Sequence, residues 1–281
     1  MHDKIKKSSN YFNFDDYKQI SSIKKPFDKE FLEFFVGFTE GDGSFIVSSD
    51  KYDKQRCFFI ITQKDPRILY YIRGKLGFGT VSFYKTYSRY IVAGTKSNEN
   101  IYKLINIFNG NLILDKTNSR FITWLTAANI EGVEYKGSLD LDSFNDNGWL
   151  AGFTSADGHF SVSKIIDKRY SLGYRVRLRF ILDQKGELSF FSNLKRNFLP
   201  TSHVGTRNSS RDMFRFTCTH LLDLSKIIEY FDRYSLRSSK TIDYVRFKKI
   251  YNYMITKKSL PWEGKVLKRI ERLLIFLDKD F

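Results

Sequence analysis

Two aspartates in the chain have surroundings that suit a metal ligand. Asp42 follows FFVGFTEG and Asp157 follows WLAGFTSA, and a glycine comes after each of them. Carboxylate oxygens are preferred ligands of Mg²⁺, and metal ions held by carboxylates can stabilise the attacking and leaving oxygens when a phosphodiester is hydrolysed. An aspartate before glycine is in most proteins only a residue that ends a helix. Because the aspartate before glycine occurs twice in the same context in this chain, the sequence favours a metal site.

Each aspartate has to be placed by a helix that ends on it. Asp28 before the first stretch and residues 145–147 before the second can cap the helix starts. Gly43 and Gly158 are expected to end the helices in the left-handed conformation, which glycine adopts without steric cost. The last helical residue is then the aspartate in each copy.

Small residues four positions apart give each predicted helix one smooth face. The first helix carries Gly37 and Gly41, and the second carries Gly152 and Ala156. A glycine weakens an exposed helix by about 1 kcal/mol relative to alanine. We therefore expect close packing to be the reason why glycine is present in each helix. Small residues at this spacing let two helix backbones come into near contact. We expect the two helices to pack together and to bring both carboxylates to one end, where a divalent cation would relieve their repulsion.

The two stretches resemble the nine-residue motif of the LAGLIDADG homing endonucleases, as FVGFTEGDG (residues 35–43) and LAGFTSADG (residues 150–158). The resemblance extends over nearly the whole chain from about Phe31. The sixth motif position is Glu40 in one copy and Ser155 in the other, where the family usually has Asp. This position is not the metal ligand in the family, so the departure concerns local hydrogen bonding and not cleavage.

The resemblance implies metal ligands and a cofactor. Asp42 and Asp157 match the carboxylate ligands, with the backbone carbonyls of Gly41 and Ala156 as additional ligands. Oxygen ligands and a phosphate substrate indicate Mg²⁺. Mn²⁺ is expected to substitute, and Ca²⁺ is expected to bind without cleavage.

Two further pairs of residues take their predicted roles from the resemblance. Gln63 and Gln184, in the contexts IITQK and ILDQK, match the polar residue that positions the attacking water. Lys116 and Lys240 match the lysine at a helix start that stabilises charge near the scissile phosphate. Without the resemblance, a glutamine at a strand end is usually a solvated turn residue, and such a lysine is as often an ordinary surface charge.

One predicted strand has the pattern of a groove-facing surface. Arg175, Arg177 and Arg179 alternate with apolar residues, so three guanidiniums share one face of the strand. Polar side chains on such a face can read base edges in the major groove, although half or more of them usually contact phosphate or sugar. The other DNA-binding candidates of the second half are Arg207, Arg215, His159, Ser161 and Ser163. Those of the first half, where the face is less charged, are Ser44, Ser48, Thr80, Ser82, Tyr84 and Arg89.

The predicted elements repeat in the order motif helix, hairpin, helix, hairpin and helices, which indicates gene duplication. The fold class expected is α+β, with two pseudo-symmetric αββαββα halves. The resemblance adds antiparallel, saddle-shaped sheets that lie on DNA and motif helices packed at the central interface. We divide the chain into a flexible basic arm (1–25), a first half (26–130), an acidic, glycine-bearing linker (131–147) and a second half (148–281).

The composition limits the classes of partner. A net charge of +16 and a pI near 9.6 indicate a polyanion, most simply nucleic acid. The alternative is a basic protein that has no such partner. No apolar run approaches the roughly 18 residues of a membrane span, so no membrane partner is expected. Cys57 and Cys218 are far apart in sequence and are expected to be buried free thiols in a reducing compartment.

The function expected is that of a monomeric, double-motif homing endonuclease with no obligate protein partner. The resemblance implies a long, nearly asymmetric site in double-stranded DNA and a staggered cut of one phosphodiester per strand. It also implies an intron or other mobile element as the setting. The abundance of Lys, Ile, Phe, Tyr and Asn is typical of an AT-rich genome and favours an organelle, a mitochondrion over a chloroplast. The first alternative is an RNA-binding group I intron maturase that acts on its own intron RNA. The second is a catalytically inactive DNA-binding regulator on the same scaffold. Retention of both aspartates favours the nuclease.

Overall fold

The computed structural model describes residues 7–20, 25–49, 55–94, 98–207, 212–256 and 264–277. The chain packs as two compact units, residues 1–156 and 157–281. The division therefore lies within the second motif helix. The predicted boundary at 147/148 lies before that helix. Each unit combines a four-stranded antiparallel sheet with helices, which confirms the α+β class.

The first unit contains six strands and six helices among the residues described. In chain order they are β1 (Lys7–Ser9), α1 (Asp15–Lys18), α2 (Lys29–Asp42), β2 (Gly43–Ser49), β3 (Gln55–Gln63), α3 (Arg67–Leu76), β4 (Thr80–Phe83), β5 (Ser88–Ala93), α4 (Glu99–Phe108), α5 (Asp115–Ala128), β6 (Ser138–Leu139) and α6 (Trp149–Asp157). The sheet order is β2-β3-β5-β4. Only the last residue of α6, Asp157, is assigned to the second unit.

The second unit contains four strands and four helices within its described residues. They are β7 (His159–Ile166), β8 (Tyr174–Lys185), α7 (Leu188–Asn197), β9 (His203–Thr206), β10 (Met213–Cys218), α8 (Leu221–Arg233), α9 (Lys240–Thr256) and α10 (Gly264–Leu277). The sheet order β7-β8-β10-β9 has the same connectivity as the first sheet. The repeat of motif helix, hairpin, helix and hairpin that the sequence indicates is thus confirmed.

Each unit has a core centred on the phenylalanine three residues after the motif aspartate. Phe45 contacts the rings of Phe108 and Trp124, with centroid distances of 5.2 and 5.3 Å. Phe160 is 5.3 Å from Phe247 and 5.6 Å from Phe231. Alternation along the strands turns one face of each sheet toward these helices, because successive side chains point to opposite faces. The other face of each sheet stays partly exposed.

The expectation of a flexible arm over residues 1–25 is wrong for its described part. Phe12, Phe14 and Tyr17 are buried, and β1 pairs in parallel with β6. The Asn111 side chain accepts from the Asn13 N–H at 2.9 Å and donates to the Asn13 carbonyl at 2.7 Å. Three aromatic side chains bury enough apolar surface to hold this segment on the first unit. Residues 1–6 and 21–24 lie outside the described part of the chain.

The segment 131–147 is a packed part of the first unit and not a free linker. Leu139, Leu141 and Phe144 are buried. The Asn109 side chain donates to the carbonyl of Glu134 at 2.8 Å and accepts from the N–H of Lys136 at 2.9 Å. These contacts are made by single residues of a mostly extended chain, so the sequence shows no helical or strand period there.

The cysteines match the prediction of buried free thiols. Cys57 and Cys218 are both unpaired and buried. Burial raises the pKa of the Cys57 thiol above its ordinary value and raises the pKa of Cys218 to about 12. None of the helices in the described ranges has the length and apolar character that crossing a bilayer requires.

Candidate functional site

Helices α2 and α6 meet at two glycines. A Cβ atom built on Gly37 would lie 2.0 Å from the carbonyl oxygen of Trp149, and one built on Gly152 would lie 1.9 Å from the carbonyl oxygen of Phe34. Any side chain at these positions would collide with backbone atoms, which cannot move aside by a change of rotamer as a side chain can. The two helix backbones are therefore in direct contact within the first unit. A role of Gly41 and Ala156 in this contact stays a prediction.

A buried carboxylate joins α2 to two other segments of the first unit. Glu40 accepts hydrogen bonds from the N–H groups of Ile113 and Leu114 at 2.9 and 2.7 Å and from the indole N–H of Trp149 at 2.6 Å. An ionised carboxylate is an acceptor only, so three donors suit it. The residue at the sixth motif position thus fixes the start of α6 and the residues before α5.

The helix α2 begins at a cap and ends at the predicted residue. The Asp28 side chain accepts from the N–H of Phe31 at 3.0 Å, and the last helical residue is Asp42. The expected left-handed ending is wrong, since Gly43 has φ −80° and ψ 152° and Gly158 is not among the described glycines with positive φ. Glycine is required at position 43 for space, because a Cβ would lie 2.7 Å from the carbonyl oxygen of Thr39.

Each motif aspartate forms the same hydrogen bond inside its own unit. Gln63, the last residue of β3, donates from Nε2 to Asp42 Oδ2 at 2.5 Å. Gln184 in β8 donates from Nε2 to Asp157 Oδ2 at 2.7 Å. An ionised carboxylate can only accept hydrogen bonds. The NH₂ group of each glutamine, and not its oxygen, therefore faces the aspartate. The amide oxygen of each glutamine is left to accept from another donor, such as a water molecule.

The oxygen ligands at each aspartate suit a hard divalent cation that also binds the substrate. Among the described residues there is no group of three or more His, Cys, Asp or Glu side chains arranged to hold a metal. Mg²⁺ is usually held by one or two carboxylates and completes its shell with waters and substrate phosphates. One carboxylate with a neighbouring carbonyl therefore fits Mg²⁺. The same ligands do not fit a structural Zn²⁺ site, which is closed by four Cys or His side chains.

The two candidate lysines lie at matching positions. Lys116 is exposed in the first turn of α5, and Lys240 is half-buried as the first residue of α9. A positive charge near a helix N-terminus is opposed by the helix dipole. Helix stability therefore does not account for a lysine at either place, and their role toward phosphate stays a prediction.

The partly exposed face of the second sheet is rich in arginine. Along β8 the residues Arg175, Arg177 and Arg179 lie on this face, while the residues between them are buried. The guanidinium of Arg179 donates to the Ser161 hydroxyl at 2.8 Å. His159 and Ser163 lie on the same face of β7, where Ser163 is opposite Arg177.

Sequence reasoning missed an acidic residue in the middle of this face. Asp183 accepts two hydrogen bonds from Arg215, both at 2.8 Å, and one from Arg207 at 3.0 Å. Two of the predicted DNA-binding arginines are thus held by one carboxylate. The alternation along β8 places Asp183 on the arginine face, so the signal was present in the sequence.

The partly exposed face of the first sheet is less charged, as expected. Its predicted members are Ser44, Ser48, Thr80, Ser82 and Arg89. Tyr84 lies in the turn between β4 and β5 and stacks on Tyr87, with ring centroids 4.8 Å apart. The guanidinium of Arg89 lies over both rings, at 5.3 and 5.1 Å. This face also carries residues that sequence reasoning missed, namely Arg56, Thr62, Ile46, Phe58, Ile60 and Ile91.

Comparison with known proteins adds a family. The family model described as LAGLIDADG endonuclease matches the chain twice, over residues 35–128 and 150–251. The chain is 38% identical over 242 residues to the probable intron-encoded endonuclease 4 of Neurospora crassa, which is 84% of this chain and 43% of that protein. It is 30% identical over 246 residues to an uncharacterised cox1 intron-2 protein of Schizosaccharomyces pombe, 86% of this chain and 72% of that protein.

A third relative is named for a different activity. The intron-encoded RNA maturase bI4 of Saccharomyces cerevisiae is 29% identical over 154 residues, which is 53% of this chain and 23% of that protein. The chain therefore spans less than half of the Neurospora relative and about a quarter of this maturase.

Solved structures agree with the fold. The LAGLIDADG meganuclease I-AabMI, bound to uncleaved DNA, superposes with a TM-score of 0.71 and 25% identity, over 87% of this chain and 98% of that chain. I-SmaMI, bound to an uncleaved DNA target in the presence of calcium ions, has a TM-score of 0.67 and 20% identity over 88% of this chain and 99% of that chain. The two motif copies, the repeated sheet connectivity and the double family match show that the chain belongs to the LAGLIDADG endonuclease family.

Proposed function

We propose that the protein is a site-specific endonuclease that binds a long, nearly asymmetric site in double-stranded DNA and hydrolyses one phosphodiester in each strand. The observation that carries this proposal is the hydrogen bond between glutamine and motif aspartate, which occurs in both units with nearly the same geometry. One acid and one water-positioning amide per unit match one cut per strand. A DNA-bound meganuclease among the structures of similar fold supports the substrate class.

The motif aspartates are the proposed metal ligands. Asp42 and Asp157, with the carbonyls of Gly41 and Ala156, would hold Mg²⁺, Mn²⁺ in its place, or Ca²⁺ in a form that does not support cleavage. When bound, the cation supplies positive charge to the phosphate oxygens. The calcium-containing structure of I-SmaMI is consistent with a divalent cation in a protein of this fold.

The other residues act on water and on charge. Gln63 and Gln184 are each anchored to their aspartate through Nε2, so the amide oxygen can accept a hydrogen bond from the attacking water and orient the lone pair of that water. Lys116 and Lys240 are proposed to place an ammonium group near the phosphate, where negative charge develops. Neither step needs the side chain to change its protonation state.

The two sheets are the proposed DNA-binding surfaces. The net charge of +16 favours a polyanion, and Arg175, Arg177 and Arg179 supply donors that suit base edges and phosphates. The protein is proposed to act as a monomer because one chain contains both motif copies. A relative named for a cox1 intron supports an intron-encoded origin in a mitochondrion.

A second function has one observation in its favour. The similarity to the maturase bI4 over 53% of the chain favours binding of the protein's own intron RNA. A maturase does not need both motif aspartates, so this activity would accompany cleavage and not replace it. An inactive DNA-binding regulator would bind a duplex site and leave it intact.

The test is selection of cleaved sites from a randomised duplex library in Mg²⁺, followed by sequencing of the cut ends. We expect one family of long sites with a cut in each strand at a fixed offset. The same library incubated in EDTA is the control. No enrichment over the EDTA sample would overturn the nuclease proposal, and binding of one site without a cut would favour the regulator.

A further inference from the structure

The same place in the two sheets holds side chains of opposite chemistry. Phe58 and Arg179 each lie five residues before the paired glutamine of their unit, and Ile46 and Ser161 each lie four residues after the motif aspartate. The strand register places Ile46 opposite Phe58 in the first sheet and Ser161 opposite Arg179 in the second. We call these the apolar pair and the polar pair.

The apolar pair lies at the centre of a face whose ends are polar. Ile46 is 39% exposed, and Phe58 is half-buried on the face turned away from the core. Ile60 and Ile91, which are opposite each other in the register, continue the apolar area beside the pair. The rows beyond it contain arginine and hydroxyl groups, which are Arg56 with Ser48 at one end and Thr62, Arg89 and Ser82 at the other.

This arrangement indicates what covers the apolar pair. Arginines on both sides suit a partner with a phosphate along each edge, and an apolar centre suits a partner whose middle is apolar. The major groove of DNA has both features wherever thymines present their C5-methyl groups. Alternate residues along a strand are about 6.8 Å apart, which is close to the rise of two base pairs, about 6.8 Å.

The polar pair has the chemistry that guanine recognition requires. The hydrogen bond from Arg179 to the Ser161 hydroxyl holds the guanidinium at a fixed angle on the sheet. Arg177 lies one row further along the same face and is exposed. A guanidinium with a fixed direction can donate two hydrogen bonds to O6 and N7 of guanine, which no other base offers in the major groove.

We infer that the apolar pair contacts thymine methyl groups in one half of the DNA site and that the polar pair reads guanine at the matching place in the other half. The inference rests on the proposed function, and it adds which chemistry each sheet reads. Ile46 and Phe58 are then specificity-determining residues of the first sheet. Arg179 has that role in the second, and Ser161 is its positioning residue.

The first test leaves the protein unchanged and alters the DNA. In the selected site, each thymine is replaced by deoxyuridine, which lacks only the C5-methyl group, and each guanine by 7-deazaguanine, which lacks N7. Binding is measured in Ca²⁺. We expect deoxyuridine to weaken binding about fourfold per buried methyl group, at one cluster of positions in one half-site. We expect 7-deazaguanine to weaken binding about 5-fold or more at the matching place in the other half-site.

The second test exchanges the pairs. The double variant Ile46→Ser/Phe58→Arg is expected to lose the deoxyuridine effect and to select guanine where the wild type selects thymine. The reciprocal variant Ser161→Ile/Arg179→Phe is expected to lose the 7-deazaguanine effect. Ile275→Ser is the matched control, because it also removes an exposed isoleucine, from α10 and not from a sheet, and it should leave both effects unchanged.

Two results would overturn the inference while the proposed function stands. One is a site that is cut normally but shows equal deoxyuridine effects in both halves. The other is a deoxyuridine effect that persists in a folded Ile46→Ser/Phe58→Arg variant. If the variant does not fold, the first test on the wild-type protein still decides. If no DNA is bound or cut, the proposed function fails and the inference fails with it.

Discussion

The amide nitrogen of Gln184 donates to Oδ2 of Asp157 at 2.7 Å, although the two residues are 27 positions apart in the sequence. The first unit repeats this contact between Gln63 and Asp42 across 21 positions. The sequence separations differ and the contact is the same, so the difference in length lies in segments that leave this geometry unchanged.

Removal of either motif carboxylate should stop double-strand cleavage and spare binding. Asp42→Asn and Asp157→Asn keep the size of the side chain but remove the charge that a divalent cation requires. We expect no linear product from a plasmid that carries the site, with a dissociation constant for DNA within about threefold of the wild type, because the sheets and not the aspartates are the proposed DNA-binding surfaces. Glu131→Gln, which removes an exposed carboxylate in a turn, should be fully active. Normal cleavage by both aspartate variants would contradict the assignment.

Loss of the glutamine amide should slow the cut without weakening the complex. In Gln63→Leu and Gln184→Leu nothing holds the attacking water, and misplacement by about 1 Å can reduce a rate about 100-fold. Single-turnover cleavage should therefore fall about 100-fold while the dissociation constant measured in Ca²⁺ stays the same. Gln19→Leu changes a glutamine of the first unit away from the aspartates and serves as the control. Weaker binding at an unchanged rate would show that the glutamines hold DNA and not water.

Alanine at the helix contact should destabilise the first unit. The Cβ of Gly37→Ala or Gly152→Ala would lie within 2.0 Å of a backbone oxygen, and overpacking typically costs about 1 to 3 kcal/mol. The free energy of unfolding, measured by chemical denaturation, should fall by at least about 1 kcal/mol. Gly74→Ala is the control. It is also in a helix, no atom lies within 4 Å of its Cβ, and it should stabilise the fold by about 1 kcal/mol. Equal effects at the three positions would refute the backbone contact.

The stability of the first unit should depend on the protonation of Glu33. Burial raises the pKa of this carboxyl above its usual 4.5, while a hydrogen bond from the N–H of Gly148 and the charge of Lys29 act in the opposite direction. Because the folded state binds the proton more tightly, the contribution of Glu33 is fully present below the unfolded pKa. It is lost as the pH rises through the folded pKa.

Glu33→Gln provides the measurement for this dependence. Glutamine resembles the protonated carboxyl and can still accept from the N–H of Gly148. The variant should be at least as stable as the wild type at pH 7 and no more stable than it at pH 4, with denaturation curves recorded at both values. A variant that is less stable at pH 7 would show that the charge of Glu33 stabilises the fold.

The parts of the structure that follow from local patterns could be predicted from the sequence. The helix ends at Asp42 and Asp157 could be predicted because a glycine follows each aspartate. The arginines of β8 share a face because strand side chains alternate. The repeat predicted the equal connectivity of the two sheets, since duplicated sequences fold alike.

The parts that depend on strand register or on packing between distant segments could not be predicted from the sequence. Asp183 holds Arg215 because their strands align at that position, and no local pattern gives this alignment. Phe12 and Phe14 are buried although they belong to a polar segment, and Asn13 between them is hydrogen-bonded to Asn111, 98 positions away. The sequence predicts a left-handed turn at Gly43 because that is the commonest reason for a glycine at a helix end. The reason found in the structure is the nearby carbonyl of Thr39, a contact that no local pattern indicates.

Helix α2 ends at Asp42, and strand β2 begins at the next residue. At the second motif a single residue, Gly158, separates α6 from β7. No loop is present at either junction to absorb a displacement. Under the proposed function, a strand that tilts on a poorly matched sequence would move the carboxylate next to its first residue, so a wrong base would lower the rate of cleavage. Fidelity in such an enzyme is expected to be kinetic, so that imperfect targets are held and released uncut.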